Sequence, residues 1–492
     1  MNPLKKLAGQ TVIYGFSSVV GRLLNYLLVP LYTRYFLPSE YGVVTELYAY
    51  VAFLVVILTY GIETAFFRYS QKVPNKKSVY STALISLLIT SCFFVSIIYF
   101  NASPISNWLN YPEFPEYIRW FAIIIGLDAV SAISFAKLRE QNKASRFALV
   151  RLLHIFINIG LNLFFIIYCP YALEKGLSSL EFVNSVYSTD IGVGYIFLAN
   201  LIASVVTFLM LLPEMIKSVW IFDKSLWKQM MIYGLPLLIA GLAGMTNETI
   251  DRILLKHLLP STVNSSSELG LYGAFYKLSI LMILFIQTFR FAAEPFFFAQ
   301  EKEKNARKVY ADVMKYFVII TSFIFLSVSL FYDFIILFLG ENYHDPRGFK
   351  VVSILLAANL FLGIYYNLSI WYKLSEKTKY GAYLSMFGAV ITLCLNFILI
   401  PKIGFVGSAW ATLICYVSMT VASYYLGRKH YKIPYPLKRI SFYLGLVAVL
   451  YFTSMLFNSH IISSLYVLIF ISIAFYLEKP KKAVISNPKL FN

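Results

Sequence analysis

The chain alternates long apolar runs with short polar stretches, and few folds can accommodate that pattern. A helix needs about 20 mainly apolar residues to cross the hydrocarbon core of a bilayer. Runs of this kind lie near residues 12–36, 43–66, 79–100, 117–136, 147–169, 191–213, 229–255, 271–298, 316–339, 351–372, 380–400, 405–426, 440–457 and 461–477. The seventh is the most polar, with Glu248, Asp251 and Arg252, and the last two are short enough to form a hairpin. Of the 492 residues 59% are hydrophobic and 13% charged, whereas soluble chains are typically about 25% charged. So much apolar surface calls for lipid as its solvent.

Cytoplasmic loops of membrane proteins carry an excess of Lys and Arg. Taken alternately, one set of segments outside the spans, both tails included, holds 31 of the 42 Lys and Arg. The other set holds 8, and Arg22, Lys277 and Arg290 fall within spans. One missed or invented helix would invert every later loop and erase this contrast. The count therefore predicts an all-α integral membrane protein of about fourteen transmembrane helices with both termini cytoplasmic. It also gives the net charge of +18 a topological origin and removes the case for a nucleic-acid partner.

Lys5 and Lys6 before an apolar run imitate a signal peptide. That run exceeds the roughly 7–15 residues of a signal core, so it is expected to remain as the first span. The connections are short, with no room for a separate catalytic domain. Cys92, Cys169, Cys394 and Cys415 sit in or beside apolar runs without metal-ligand spacing, and are expected to be packing residues.

The sequence restarts near residue 230. Ile13–Tyr14–Gly15 and Leu37–Pro38–Ser39–Glu40–Tyr41–Gly42 recur as Ile232–Tyr233–Gly234, Leu259–Pro260–Ser261 and, after an insertion, Ser267–Glu268–Leu269–Gly270. Asn162 and Asn396 occupy matching places in the fifth and eleventh spans. Both copies start on the same side, so they run parallel and are related by an axis along the membrane normal. The expected layout is a six-helix bundle over 1–228, a second over 229–432, a central cleft between them, and two additional helices with a tail over 433–492.

Ionisable residues inside a bilayer are costly and usually face a bundle interior or a wet cavity. Here they concentrate in the first two helices of each repeat: Arg22 and Asn25, Glu46 and Glu63, then Glu248, Asp251 and Arg252, then Lys277, Arg290 and Glu294, with Asp128 in the fourth span. Arg22 has two readings. Its planar fork suits the phosphate oxygens of an anionic head group, with Lys277 and Arg290 adding to the same field; or it pairs with Glu46, Glu63 or Asp128 to hold helices together. Glu248 with Arg252, and Arg290 with Glu294, are spaced to face each other on one helix. They are self-neutralised pairs, or else Glu248, Asp251 or Glu63 titrates and couples transport to H+ or Na+. His154 is expected to be simply hydrogen-bonded. Pro236 with Gly234, Gly241 and Gly244 offers a bend in the seventh span. The many tyrosines and phenylalanines suit interfacial belts and sugar stacking alike. No phosphate-cradling glycine loop, metal triad or nucleophile elbow occurs, so the chain is expected to be neither an enzyme nor cofactor-dependent.

Three stretches carry a resemblance. They are Tyr35–Phe36–Leu37–Pro38–Ser39–Glu40–Tyr41–Gly42; Asp251–Arg252 followed by Gly270–Leu271–Tyr272; and Leu395–Asn396 with Ile400–Pro401, Gly404, Gly407–Ser408–Ala409 and Ala411–Thr412. In their order and spacing the chain resembles the bacterial O-antigen or capsule repeat-unit flippases, within the superfamily that holds the multidrug and toxin extrusion transporters and the lipid II flippases. The resemblance implies a two-lobed, alternating-access transporter in the inner membrane, carrying an undecaprenyl-diphosphate-linked oligosaccharide to the outer leaflet. It implies a cationic lumen, which Arg22, Asn25, Lys277 and Arg290 match by type, and a polysaccharide polymerase and chain-length machinery as partners. A cation-coupled multidrug exporter of the same fold is the alternative. A membrane-embedded polymerase would carry a large catalytic outer loop, which this chain lacks.

Overall fold

A computed structural model describes residues 20–479 apart from 22, 177–179, 302 and 458, and among these residues there is no strand. Helix α1 (Val29–Tyr35) is the end of the first span. It is followed by α2 (Pro38–Lys72), α3 (Lys76–Phe100), α4 (Pro115–Glu140), α5 (Ala144–Lys175) and α6 (Gly194–Ile216). The second half opens with α7 (Lys224–Leu258) and a broken pair, α8a (Ser265–Leu278) and α8b (Ile280–Gln300). Then come α9 (Ala306–Leu330), α10 (Arg347–Leu374), α11 (Lys379–Ile403), α12 (Phe405–His430), α13 (Leu437–Ser454) and α14 (His460–Glu478). Among the described residues 13 helices are long and apolar enough to cross a membrane, and they correspond to the second to fourteenth spans expected from the sequence.

Local chemistry sets the starts of these helices. Pro38 opens α2, where its missing N–H costs nothing, and the Glu40 carboxylate accepts the Leu37 N–H at 2.7 Å. Side chains of Asn75, Asp223 and Asn264 cap α3, α7 and α8a through the N–H groups of Ser78, Leu226 and Ser267. Each satisfies one of the donors that a helix start leaves orphaned.

The two six-helix bundles use the same pairings. In the first, α4 packs on α3 and α6, and α5 on α6; in the second, α10 packs on α9 and α12, and α11 on α12. Helices α13 and α14 lie against α9, outside the repeat. The bundles cross where α2 meets α8a. A methyl group on Gly42 would collide with the carbonyl of Ser266, and one on Gly270 with the carbonyl of Pro38. Residues 38 and 42 match 266 and 270 in the repeat, so both helices approach backbone to backbone at the symmetry axis. Asn162 and Asn396 also behave alike: each is buried and donates to the carbonyl four residues earlier, at 2.7 and 2.8 Å.

The bend expected in the seventh span is not a break: α7 runs through Pro236 as one helix of 35 residues. The interruptions lie elsewhere. Tyr60 and Gly61, with φ of 33° and 71°, divide α2, and Ser279 divides α8a from α8b. A methyl on Gly61 would sit 2.6 Å from the Gly234 carbonyl oxygen, and one on Gly234 would sit 2.9 Å from that of Tyr60. Gly234 thus serves close approach, letting the start of α7 lie on the turn in α2. Leu226 and Met230 join the first bundle's core beside Phe66, Leu84 and Leu211. Farther along, Asn247 donates to the Ser385 carbonyl of α11 at 3.0 Å. One helix therefore belongs to both bundles.

Candidate functional site

Between the bundles lies a cavity of about 410 Å³, bounded by residues of α1, α2, α5, α6, α7 and α8a. On α2, Tyr41, Thr45 and Tyr48 line it at intervals of four and three residues, which is one helical face. Thr249 and Arg252 repeat that spacing on α7, and Gly273, Tyr276 and Lys277 on α8a. His154 and Asn158 come from α5, Asn200 from α6, and Asn25 from the helical residues that precede the turn before α1.

The polar lining is held in place by its own hydrogen bonds. Tyr32 Oη donates to Asn162 Oδ1 at 3.0 Å. Asn200 Nδ2 donates to Tyr48 Oη at 3.1 Å, and His154 Nδ1 lies 3.0 Å from Thr207 Oγ1. Arg252 donates to the Glu248 carbonyl at 2.9 Å and lies 4.2 Å over the Tyr276 ring. Asp251, which accepts from Tyr272 Oη at 2.5 Å, is 3.9 Å from the Arg252 guanidinium. Among the described residues Lys277 has no ion-pair partner, and its charge and that of Arg252 oppose each other. No Asp or Glu is among the lining residues. The result is a concave, tyrosine- and asparagine-rich chamber lined by two cations, Lys277 without an ion-pair partner among the described residues and Arg252 beside Asp251, which suits an anion bearing hydroxyl groups.

The residues singled out from the sequence are dispersed. Asn25, Arg252 and Lys277 line the cavity. Arg22 lies outside the described residues. Arg290 is not among the lining residues: on α8b it is 3.7 Å from Glu294 and 4.0 Å over Tyr366, and Glu294 also takes Lys373 of α10 at 2.6 Å. Glu63 is paired with Arg139. Asp128 on α4 and Arg151 on α5 share a charge interaction; neither lines the cavity, but each is in the field of a lining residue, Tyr48 and His154 respectively. Glu248 is in the field of Tyr276, Tyr366 and Tyr416.

Glu46 is fully buried, bound by Tyr111 Oη and 3.8 Å from Lys256 Nζ. Lys256 lies just past the apolar run near 229–255, yet it sits inside α7 with 8% of its side chain exposed. Its position four residues after Arg252 was the available signal, because the two share a helix face. The Tyr41–Thr45–Tyr48 interval, one helical face, is the sequence signal of the tyrosine lining.

At the Phe36 end the bundles grip each other reciprocally. The α9–α10 loop holds α1: the Gly340 N–H donates to Thr33 Oγ1 at 3.1 Å, and Tyr343 Oη to the Phe36 carbonyl at 3.0 Å. The α3–α4 loop holds the end of α7 through Tyr111 and Lys256, and through Trp108 stacked on His257. These contacts tie the cleft shut at that end.

Several solved structures share this architecture. The chain is similar to one described as the lipid II flippase MurJ in an inward closed conformation, with a TM-score of 0.72 and 15% identity, covering 94% of this chain and 99% of that one. It is similar to an inward-facing multidrug resistance MATE family transporter of the MOP superfamily, with a TM-score of 0.64 and 16% identity over 86% and 96% of the chains. A MATE structure in complex with MaD3S gives a TM-score of 0.60 and 15% identity over 90% and 98%. At such identities the likeness is one of fold. No curated protein matches the chain. The sequence profile of one family does match, over residues 7–299, more than half of the chain, and by that measure the protein belongs to the polysaccharide biosynthesis protein family.

Proposed function

We propose that the protein is a flippase that moves an undecaprenyl-diphosphate-linked oligosaccharide from the cytoplasmic to the outer leaflet by alternating access, for surface polysaccharide such as O-antigen or capsule. The observation that carries this is the cavity between the bundles, where among the described residues Lys277 has no ion-pair partner and Arg252, itself 3.9 Å from Asp251, adds a second cation to the lining. Burying cations within a bilayer is costly, and a diphosphate head group offsets that cost through charge-assisted hydrogen bonds. Asn25, Asn158, Asn200 and the tyrosines supply partners and flat faces for sugar hydroxyls and rings. In this proposal both termini are cytoplasmic and the Phe36 end faces outward. Coupling is to H+ or Na+, no cofactor takes part, and a polysaccharide polymerase with its chain-length machinery receives the product. The proposed lobes are residues 1–228 and 229–432, joined by the bridging helix α7, with 433–492 outside the repeat.

The test is movement of a fluorescent undecaprenyl-diphosphate-linked oligosaccharide across liposomes containing the purified protein, with Lys277→Met as the comparison. Flipping by wild type and its loss in a folded Lys277→Met variant is the expected result. Equal flipping by both keeps the activity and removes the cavity cation from it. Transport of a cationic dye, with no lipid flipping of a substrate matched to the host's own sugars, would transfer the protein to the multidrug exporters.

A further inference from the structure

At the end of the first bundle remote from Phe36, the starts of α3 and α5 and the ends of α4 and α6 enclose a second cavity, of about 320 Å³. Five lysines line it: Lys76, Lys77, Lys137, Lys143 and Lys217. Of its two carboxylates, Glu140 takes Lys76 at 2.6 Å, and Glu214 lies 3.6 Å from Arg146 through one oxygen while its other oxygen has no hydrogen-bond partner. Lys137 forms a fixed wall, donating to the Glu214 carbonyl at 2.7 Å and lying 3.9 Å over the Tyr80 ring. Among the described residues Lys77, Lys143 and Lys217 make no ion pair, so three ammonium groups without an ion-pair partner face one hollow, in which lysines outnumber carboxylates five to two.

Lysines on this face are expected from membrane topology alone, but topology calls for charge in the loops and does not shape a pocket. The repeat provides an internal comparison. In the second bundle the corresponding ends of α10 and α12 are filled by Trp371, which is 1% exposed, bonds through its indole N–H to Ser423 Oγ at 3.2 Å and stacks on His430. The void left there is about 10 Å³. The fold therefore does not require a hollow at this corner; in the first bundle it is both open and cationic.

We propose that this corner is a second anion site, separate from the cleft, that binds a phosphate-bearing ligand and is occupied by the head group of an anionic membrane lipid. It lies at a helix-end level where lysines meet the lipid surface, and lysines placed there attract anionic lipids. Phe66 and Pro213 supply an apolar wall beside the charges, as a ligand entering sideways from a bilayer requires.

The experiment uses the full chain in nanodiscs of phosphatidylcholine with a graded fraction of phosphatidylglycerol, and reads retained lipid by native mass spectrometry and the thermal unfolding midpoint. A parallel arm supplies inorganic phosphate. The site variant is Lys77→Gln, Lys143→Gln and Lys217→Gln together; the control removes Lys308, Lys379 and Lys432 of the second bundle, all exposed, by the same change to Gln. Wild type and control should retain phosphatidylglycerol, and the site variant should bind it about a hundredfold more weakly, given the usual contribution of each surface lysine. Changing the three site lysines to Arg should preserve binding, which separates loss of charge from misfolding. Protection by inorganic phosphate alone would keep the phosphate site and make its ligand soluble. Equal losses in site and control variants, or no retention by wild type, would overturn the proposal.

Discussion

Gly42 and Gly270 occupy equivalent places in the two halves, and each is pressed against the other helix's backbone, Gly42 against Ser266 and Gly270 against Pro38. Adding a single methyl group at either glycine has nowhere to go but into a carbonyl. Gly42→Ala and Gly270→Ala should each cost about 1–3 kcal/mol, the usual range for overpacking. Because the crossing is symmetric the two losses should be similar. Unfolding midpoints in detergent, compared with Gly445→Ala, where nothing lies within 4 Å of the added methyl, check this.

Lys277 and Arg290 were both expected to serve an anionic substrate, yet only Lys277 faces the cavity. Arg290→Met should leave flipping within about twofold of wild type, because the Arg290–Glu294 pair is half-exposed and such pairs contribute about 1 kcal/mol or less. Lys277→Met should abolish flipping with the fold intact. Measured side by side in liposomes, equal losses would contradict the separation.

Glu46 and Lys256 form a buried ion pair linking α2 to α7. Removing one partner strands the other charge, so Glu46→Gln should destabilise by about 3–5 kcal/mol. The double variant Glu46→Gln, Lys256→Met should recover much of that loss. A double-mutant cycle on unfolding midpoints measures the coupling, and additive effects would show the pair to be incidental.

Arg347 grips Glu268 through two nitrogens, both at 2.8 Å, and Asp345 at 2.7 Å. The hydrogen bonds from Arg347 hold the Asp345 carboxyl below its ordinary value of 3.8. A carboxyl depressed in the folded state adds stability that is complete above its unfolded value and is lost as the pH falls through the folded one. Wild type should therefore lose stability below about pH 3.8 more steeply than Asp345→Asn, measured as the unfolding midpoint against pH. Arg347→Lys should cost up to about 1 kcal/mol, since an ammonium cannot reproduce the fork.

The fold was legible because a bilayer imposes coarse rules. Apolar length located the helices from α2 onward, and the Leu-Pro-Ser and Glu-x-Gly motifs marked the repeat that brings Gly42 to Gly270. Fine structure was less visible. Pro236 marked a place where α7 could bend, and membrane helices absorb a proline by local readjustment without breaking; the break at Tyr60–Gly61 carried no such mark, because there a close neighbour across the interface meets the left-handed backbone. The site was half legible. A lone charge in an apolar run says that it needs company, but whether Lys277 finds a cavity and Arg290 a carboxylate depends on helix rotation, which hydrophobicity all around a helix leaves open.

The grip between Tyr343 and Phe36 joins residues 307 positions apart. At the usual 5–20 residues per second of synthesis, the end of α1 waits about 15–60 seconds before its clamp leaves the ribosome. Until then the start of the chain resides in the membrane without its final partner, and the first bundle cannot complete itself however well its own helices pack. A chain truncated before Gly340 should thus carry a loose first helix, exposed to membrane quality-control proteases, and the two halves share a single schedule of maturation.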